Sequence, residues 1–232
     1  MNITCVCEKC ELRTVFFENF KGNQLESFCS KKSETFYQQG DFVFHEGDEV
    51  TSFSYLKSGV LKLFTTTPEG KDQIITIAGP YDFVSLLGIF SISHQTYSVA
   101  AIDDAVVCHI DIQEIKEIVK KNGEFSLHLM EKIGGTSNKI IRESMEIRRK
   151  NTYGKVAYIL LKMSRDIYAN QTFNLPLSRR EIAEYTGVTT ENVIRAMSEF
   201  RKDKTIRING HEIEILDMDC LLYTSDAADD LL

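Results

Sequence analysis

The sequence predicts an α+β fold with three parts in chain order: a β-roll, one long helix and a C-terminal winged helix-turn-helix. Short apolar stretches separated by glycine turns fill the first half, and a long proline-free stretch with helical spacing follows. Two short helical stretches joined by a glycine then precede a hairpin signal. The 232 residues, 43% hydrophobic and 26% charged, are ordinary for a globular protein with one or two cores.

The β-roll is predicted over residues 25–122. Period-2 alternation is clear in residues 60–64, and turn signals occur at Glu69-Gly70 and Gly79-Pro80. Many short strands joined by glycine turns are typical of an antiparallel roll or barrel. We therefore expect an antiparallel β-domain that ends where the long helix begins.

The long helix is predicted over residues 123–150. Its apolar and small residues recur at alternating intervals of three and four, which is the a/d spacing of a coiled coil. This predicted dimer seam consists of Met130, Ile133, Ser137, Ile140, Ser144 and Ile147. Each glycine of Gly134-Gly135 weakens a helix by about 1 kcal/mol relative to alanine, but the seam continues on both sides. We expect a homodimer; the alternative is a single amphipathic helix lying on its own domain.

The winged helix-turn-helix is predicted over residues 151–219. Ser178 and Glu181 form an S-x-x-E capping box, so a helix begins there, and Gly187 ends it. The segment TTENVIRAMSEFRKD forms the second helix, and Asn209-Gly210 marks the turn of a hairpin. Two short helices joined by a glycine turn and followed by a hairpin predict a DNA-binding domain.

The second helix carries the candidate base-reading residues. Glu191 and Arg195 are four apart and share one face. Arginine binds guanine O6 and N7 and glutamate accepts from cytosine N4, each contributing about 1–3 kcal/mol of base discrimination. An exposed helix ion pair, worth about 0.2–0.5 kcal/mol, is the simpler alternative. Ile194 lies between them, where it meets a thymine methyl or packs inward. The predicted DNA-backbone contacts are Ser178, Arg179, Thr189 and Thr190.

The overall charge of −7 does not favour nucleic acid, but it hides a local excess of basic residues. Residues 176–207 contain seven basic and five acidic side chains, so this stretch is mildly positive. The apolar runs are too short for a transmembrane helix, and the N-terminus lacks the pattern of a signal peptide. We therefore expect a cytoplasmic protein without a membrane partner. Structural disulfides are rare in that compartment.

The residues so far described resemble the CRP/FNR family of bacterial transcription regulators. The resemblance rests on GDFVFHEGDEVTSFSYLKSGVLKLF, the long helix and SRREIAEYTGVTTENVIRAMSEF, and it extends over nearly the whole chain to about residue 219. It implies a cyclic-nucleotide-binding-like β-roll, a dimerisation helix and a winged helix. It also implies a dimer that binds a near-palindromic operator in double-stranded DNA and contacts RNA polymerase.

The resemblance also bears on the sensed signal. Nucleotide-binding members carry a glutamate and then an Arg-Ser pair in the roll, where this chain has Leu86 and Thr96-Tyr97. Without that arginine the cyclic phosphate loses its bidentate partner, which argues against cyclic AMP as a ligand.

Cysteines favour the oxygen-sensing, FNR-like branch of the family. An N-terminal segment, residues 1–24, contains three of them, and a fourth stands at the place in the roll where FNR-like members have one. The resemblance implies a [4Fe–4S] cluster held by Cys5, Cys7, Cys10 and Cys108. The C-x-C-x-x-C spacing is tighter than in FNR proteins, so Cys29 is an alternative ligand. A structural zinc site and free or redox-active thiols remain open.

The same fold is compatible with other functions. A regulator that senses haem, nitric oxide or another small ligand would keep the helix-turn-helix and use the cysteines for nothing specific. A cupin-like metalloenzyme needs two histidines one residue apart, and the sequence contains no H-x-H. We therefore do not expect an enzyme.

Residues 220–232 differ in character from the rest of the chain. The ending CLLYTSDAADDLL has no periodicity and resembles a translated sequencing adapter. We expect this segment to be foreign to the protein and disordered. Without its three aspartates the net charge is −4, that is, −7 plus 3.

Overall fold

The computed structural model describes residues 2–3, 32–85, 90 and 93–226, with only the backbone of residues 2–3. The chain divides into two compact units. Unit 1 comprises Met1–Thr65 and Ile77–Ile140, and unit 2 comprises Thr66–Thr76 and Ile141–Leu232. The division falls inside the long helix, whereas the sequence analysis predicts boundaries at both of its ends, after residues 122 and 150.

Two antiparallel sheets form the predicted roll. The first has the order β1-β2-β8-β4, with β1 at Asn2–Ile3, β2 at Lys32–Tyr37, β4 at Ser52–Ser58 and β8 at Ala105–Asp111. The second has the order β3-β7-β5-β6, with β3 at Phe42–Phe44, β5 at Leu61–Thr66, β6 at Asp72–Ala78 and β7 at Ser98–Ala101. The antiparallel β-rich domain expected from the glycine turns is confirmed.

Gly59, between β4 and β5, is required by its surroundings. Its φ of +90° is a conformation that other residues avoid, and a Cβ here would lie 2.2 Å from the carbonyl oxygen of Asp104. The turn that contains Gly59 can therefore approach the turn at Asp104 only because residue 59 has no side chain.

One hydrophobic core cluster of unit 1 lies between the first sheet and two helices. Helix α1, Ile112–Lys121, begins at Asp111, whose side chain accepts a hydrogen bond from the Gln113 amide. Helix α2, Gly123–Arg149, is the predicted long helix. The buried residues of this core are Phe53, Tyr55, Phe83, Cys108, Ile110, Ile112, Ile115, Phe125 and Leu129.

The structure corrects the predicted dimer seam. Ile133 packs against the core of unit 1 and Ile147 is buried, so neither presents a free face to a partner. Met130 is 60% exposed, and the other large apolar side chains exposed on α2 are Leu127, Ile141 and Met145. The outward stripe therefore keeps Met130, Ser137 and Ser144 of the predicted seam and has Leu127 and Ile141 in place of its isoleucines. Along this stripe, residues 127, 134 and 141 occupy one heptad position and residues 130, 137 and 144 occupy another.

Unit 2 contains the predicted winged helix-turn-helix. Helix α3, Thr152–Lys162, continues into a π-helical turn at Met163–Ile167. Helices α4, Arg179–Thr186, and α5, Thr190–Lys202, follow. A three-stranded antiparallel sheet has the order β10-β11-β9, with β9 at Thr172–Asn174, β10 at Ile206–Asn209 and β11 at Glu212–Ile215.

The hairpin turn differs by one residue from the prediction. Asn209 pairs with Glu212, so the two central residues are Gly210 and His211 and not Asn209 and Gly210. Gly210 has a φ of +65°, as the first central position of a type II′ turn requires.

The prediction of a disordered ending is wrong for residues 220–226. Helix α6, Met218–Asp226, buries Leu221 and Ser225. Lys150 Nζ donates a hydrogen bond to the Ser225 carbonyl, and α6 contacts α3. Leu221 and Ser225 are four residues apart, so they lie on one face of the helix, and that face is the buried one. Residues 227–232 lie outside the described part.

None of the helices that the structure describes has an apolar stretch long enough to cross a bilayer.

Candidate nucleic-acid interface

Helix α4 is fixed at both ends by the residues that the sequence indicated. The Glu181 amide donates to Ser178 Oγ at 3.1 Å, and the Ser178 amide donates to Glu181 Oε2 at 2.9 Å. This is the predicted capping box. Gly187, with a φ of +69°, ends the helix in the left-handed conformation. The local sequence therefore sets the length of α4.

Apolar side chains join α4 to α5, and the two helices are in contact. On α4, Ile182 and Ala183 are buried, and on α5, Val193 and Met197 are buried. The other buried residues of the two helices are Tyr185, Thr186, Ala196 and Phe200. Their burial leaves the opposite face of α5 to solvent.

The outward face of α5 carries the predicted base-reading residues. Glu191 and Arg195 are both exposed. Ile194 is 50% exposed, which excludes the alternative that it packs inward, and Ser198 is exposed one turn further on. Their spacing of three and four residues puts them on one stripe near the front of the helix.

The charged groups on this face do not bind each other. Arg195 Nη2 donates to Asn192 Oδ1 at 2.8 Å. Hydrogen bonds from the Glu191 backbone and the Thr189 side chain lower the pKa of the Glu191 carboxyl, so this group is a stable anion at neutral pH. The sequence analysis does not predict a role for Asn192. Its position one helical turn before Arg195 is the only sequence feature that indicates contact with the arginine.

The candidate DNA-backbone residues stand at helix starts. Ser178 and Thr189 are the N-caps of α4 and α5, and Thr190 is the first residue of α5. Ser178 Oγ donates to Glu181 Oε2 at 2.9 Å, so its proton is already used. Arg179 is half-buried, and burial lowers the pKa of its guanidinium. The phosphate contacts stay a prediction, since both capping hydroxyls serve the protein itself.

Only one candidate cluster ligand lies in the described residues. Cys108 is fully buried on β8, next to Tyr55 and Glu34 on the neighbouring strands. Burial raises the pKa of the Cys108 thiol to about 11, against the opposing effects of a hydrogen bond with Tyr55 and of nearby lysines. Within residues 32–85 and 93–226, no group of three or more His, Cys, Asp or Glu side chains could hold a metal ion. Residues Cys5, Cys7, Cys10 and Cys29 lie outside the described part.

Those lysines both bind the buried Glu34 carboxylate, Lys32 from the protein interior and Lys57 from the solvent side. Lys32 Nζ donates to the Tyr55 hydroxyl at 3.2 Å and lies 3.3 Å from Glu34 Oε1. Lys57 Nζ donates to Glu34 Oε2 at 2.8 Å. Near the Cys108 thiol, the two ammonium groups lower its pKa and the Glu34 carboxylate raises it, and burial, the largest effect, keeps the thiol protonated at neutral pH.

The place where a cyclic phosphate would be held has different chemistry here. Tyr97 is buried, and its hydroxyl donates to the Val84 carbonyl at 3.0 Å. Thr96 is exposed, and Leu86 lies outside the described residues. Neither Thr96 nor Tyr97 supplies the positive charge that a phosphate diester needs.

Two family profiles match the chain. The cyclic nucleotide-binding domain matches residues 34–122, and the Crp-like helix-turn-helix domain matches residues 154–223. The second match corresponds to the domain that presents Glu191 and Arg195.

Curated relatives and solved structures are similar over most of the chain. The transcriptional activator protein Anr of Pseudomonas protegens is 29% identical over 185 residues, 78% of this chain and 75% of that protein. The fumarate and nitrate reduction regulatory protein of Salmonella typhimurium is 25% identical over 203 residues, 86% of this chain and 80% of that protein. FixK2 from Bradyrhizobium japonicum has the same fold, with a TM-score of 0.76 and 22% identity over 85% of this chain and 98% of that one.

Proposed function

Because the chain belongs to the CRP/FNR family of DNA-binding transcription regulators, and is not an enzyme, we propose that Glu191 and Arg195 read base edges in its operator. One observation carries this proposal. Both side chains project from the exposed face of the second helix in a complete helix-turn-helix, whose opposite face is buried. This is the face that enters the major groove in such motifs.

The operator is near-palindromic because the regulator acts as a dimer. Leu127, Met130, Ile141 and Met145 leave an apolar stripe exposed along α2, which a second copy of the helix covers in a parallel coiled coil. Two-fold symmetry then presents two copies of α5 to two half-sites. Contact with RNA polymerase belongs to the same proposal and rests on the family alone.

The sensed signal is proposed to be oxygen or redox state. Cys5, Cys7 and Cys10 would hold a [4Fe–4S] cluster together with Cys108, and such a cluster supplies oxygen-sensitive redox chemistry when bound. Among the described residues, this donor set has one member, the buried thiol of Cys108. A buried thiol with a raised pKa is a poor ligand, but Lys32 and Lys57 favour the thiolate that ligation requires.

Selection from a random-sequence DNA library tests DNA reading. We expect purified protein to enrich a near-palindromic site whose half-sites lie about one helical turn apart. The selection is run at physiological salt, because phosphate contacts alone bind every sequence. A double variant, Glu191→Ala with Arg195→Ala, should lose the enrichment. The proposal is wrong if the unmutated protein enriches nothing, or if the double variant enriches the same sequence.

A further inference from the structure

Glu143 carries a buried carboxylate that no local sequence pattern predicts. Glu143 lies on the part of α2 that belongs to unit 2, and only 7% of its surface is exposed to solvent. A charge away from water is costly unless it is paired and hydrogen-bonded. The groups that donate hydrogen bonds to this carboxylate therefore indicate its role.

Three elements of unit 2 donate to this one carboxylate. Lys162 Nζ on α3 donates to Oε1 at 2.5 Å. The Tyr185 hydroxyl on α4 donates to Oε2 at 3.1 Å, and Thr76 Oγ1 on β6 donates to the same oxygen at 2.9 Å. All three donors are themselves buried. We call these four residues the Glu143 junction.

The energetics of such a junction favour a geometric role over a stabilising one. A buried ion pair is often no more stable than apolar side chains of the same volume, because desolvation offsets the attraction. Hydrogen bonds to a carboxylate are directional, whereas apolar contacts permit sliding. The junction therefore restrains the angle between elements more than it adds to the free energy of unfolding.

We infer that Glu143 is a positioning residue for operator recognition, holding α4 at a defined angle to the C-terminal turns of α2. Helix α4 packs on α5, so the junction also orients the base-reading face. The inference rests on the proposed function, in which α2 forms the dimer. In that dimer the angle between α2 and α4 sets the distance between the two copies of α5. The junction therefore determines which half-site spacing the protein accepts.

The test compares operators whose central spacer is unchanged, one base pair shorter or one longer. The key variant makes the junction apolar without leaving an unpaired group: Thr76→Val, Glu143→Leu, Lys162→Met and Tyr185→Phe together. Dissociation constants are measured by fluorescence anisotropy, and stability by thermal unfolding. We expect the variant to stay folded but its preference for the native spacer to fall about threefold to tenfold, as expected for losing a few hydrogen bonds.

Two further variants keep the result interpretable. Tyr185→Phe removes only the bond to α4 and decides the question if the fourfold variant does not fold; it too should relax the spacer preference. Glu184→Gln breaks the exposed Arg180–Glu184 pair on the same helix and should leave the preference unchanged. A folded junction variant with the spacer preference of the unmutated protein would overturn the inference. An unmutated protein without operator specificity would instead refute the proposed function.

Discussion

At the residue scale, the Arg195 guanidinium donates to Asn192 on its own helix and not to the Glu191 carboxylate. That carboxylate accepts hydrogen bonds from its own backbone and from Thr189. A single exposed hydrogen bond of this kind contributes little, so guanine O6 and N7 compete for the arginine effectively. Asn192 thus orients the arginine without blocking it.

Arg195→Ala should weaken operator binding by about 1–3 kcal/mol per half-site, since the bidentate contact with guanine is lost. Base preference at that position should relax as well. Lys202→Ala, at the exposed far end of α5, removes the same charge and should weaken binding to all sequences equally. Titrations with the selected operator and a scrambled duplex measure both effects. Equal losses on the two duplexes for Arg195→Ala would contradict base reading.

Ile194 should contact a thymine methyl group. It is an exposed apolar side chain between two polar ones on the face that enters the groove. Replacing one thymine per half-site by deoxyuridine removes only that methyl and should weaken binding about threefold to tenfold. In Ile194→Ala the same replacement should have no effect, whereas Ser198→Ala should retain the loss. An identical deoxyuridine penalty in Ile194→Ala would exclude this contact.

The sequence predicted those side chains that local rules determine. The capping box, the C-terminal glycine and the exposed Glu191 follow from spacing within one or two turns. The Glu143 junction does not, because its donors come from residues 19, 42 and 67 positions away along the chain. Nothing near Glu143 distinguishes it from the solvated glutamates of the same helix, such as Glu146.

At the element scale, α2 shows why heptad spacing alone did not place the dimer face. The intervals of three and four fit two overlapping stripes, and one residue of shift turns the face by about 100°. Ile133 and Ile147 satisfy the spacing but are covered by their own chain. Which stripe faces outward depends on packing against other elements, and the helix sequence does not contain that information.

Ile141→Asp should dissociate the dimer, because it places a charge in the apolar stripe that the second copy covers. Light scattering should give the mass of one chain, and operator affinity should fall by about tenfold or more as the second half-site contact is lost. Arg142→Asp introduces the same side chain one position further, at another exposed site, and should remain dimeric. A dimeric Ile141→Asp protein would show that this stripe is not the interface.

At the scale of the whole molecule, the order of parts was predictable and the sensing chemistry was not. Glycine turns, a long uninterrupted helix and a capped pair of short helices each leave a local pattern, and together they gave the architecture. The proposed four-cysteine site would be assembled from residue 108 and a segment about a hundred positions before it. Spacing within that segment cannot show whether iron, zinc or no metal binds, since thiolates suit both metals.

Metal content should decide what the cysteines bind. Protein isolated without oxygen should contain about four irons and four sulfides per chain and should lose its colour in air, as expected for a [4Fe–4S] cluster. Cys7→Ala and Cys108→Ala should each lose the iron, because each removes a ligand from a set of four. Cys220→Ala should retain it, since that thiol is exposed on α6 and is not among the proposed ligands. Cys29→Ala distinguishes the two ligand sets. The variant should retain iron if Cys5, Cys7 and Cys10 are all ligands, and lose it if Cys29 replaces one of them. Colourless protein that holds zinc, or no metal, would exclude the cluster, and operator selection with that same protein would still test DNA reading independently.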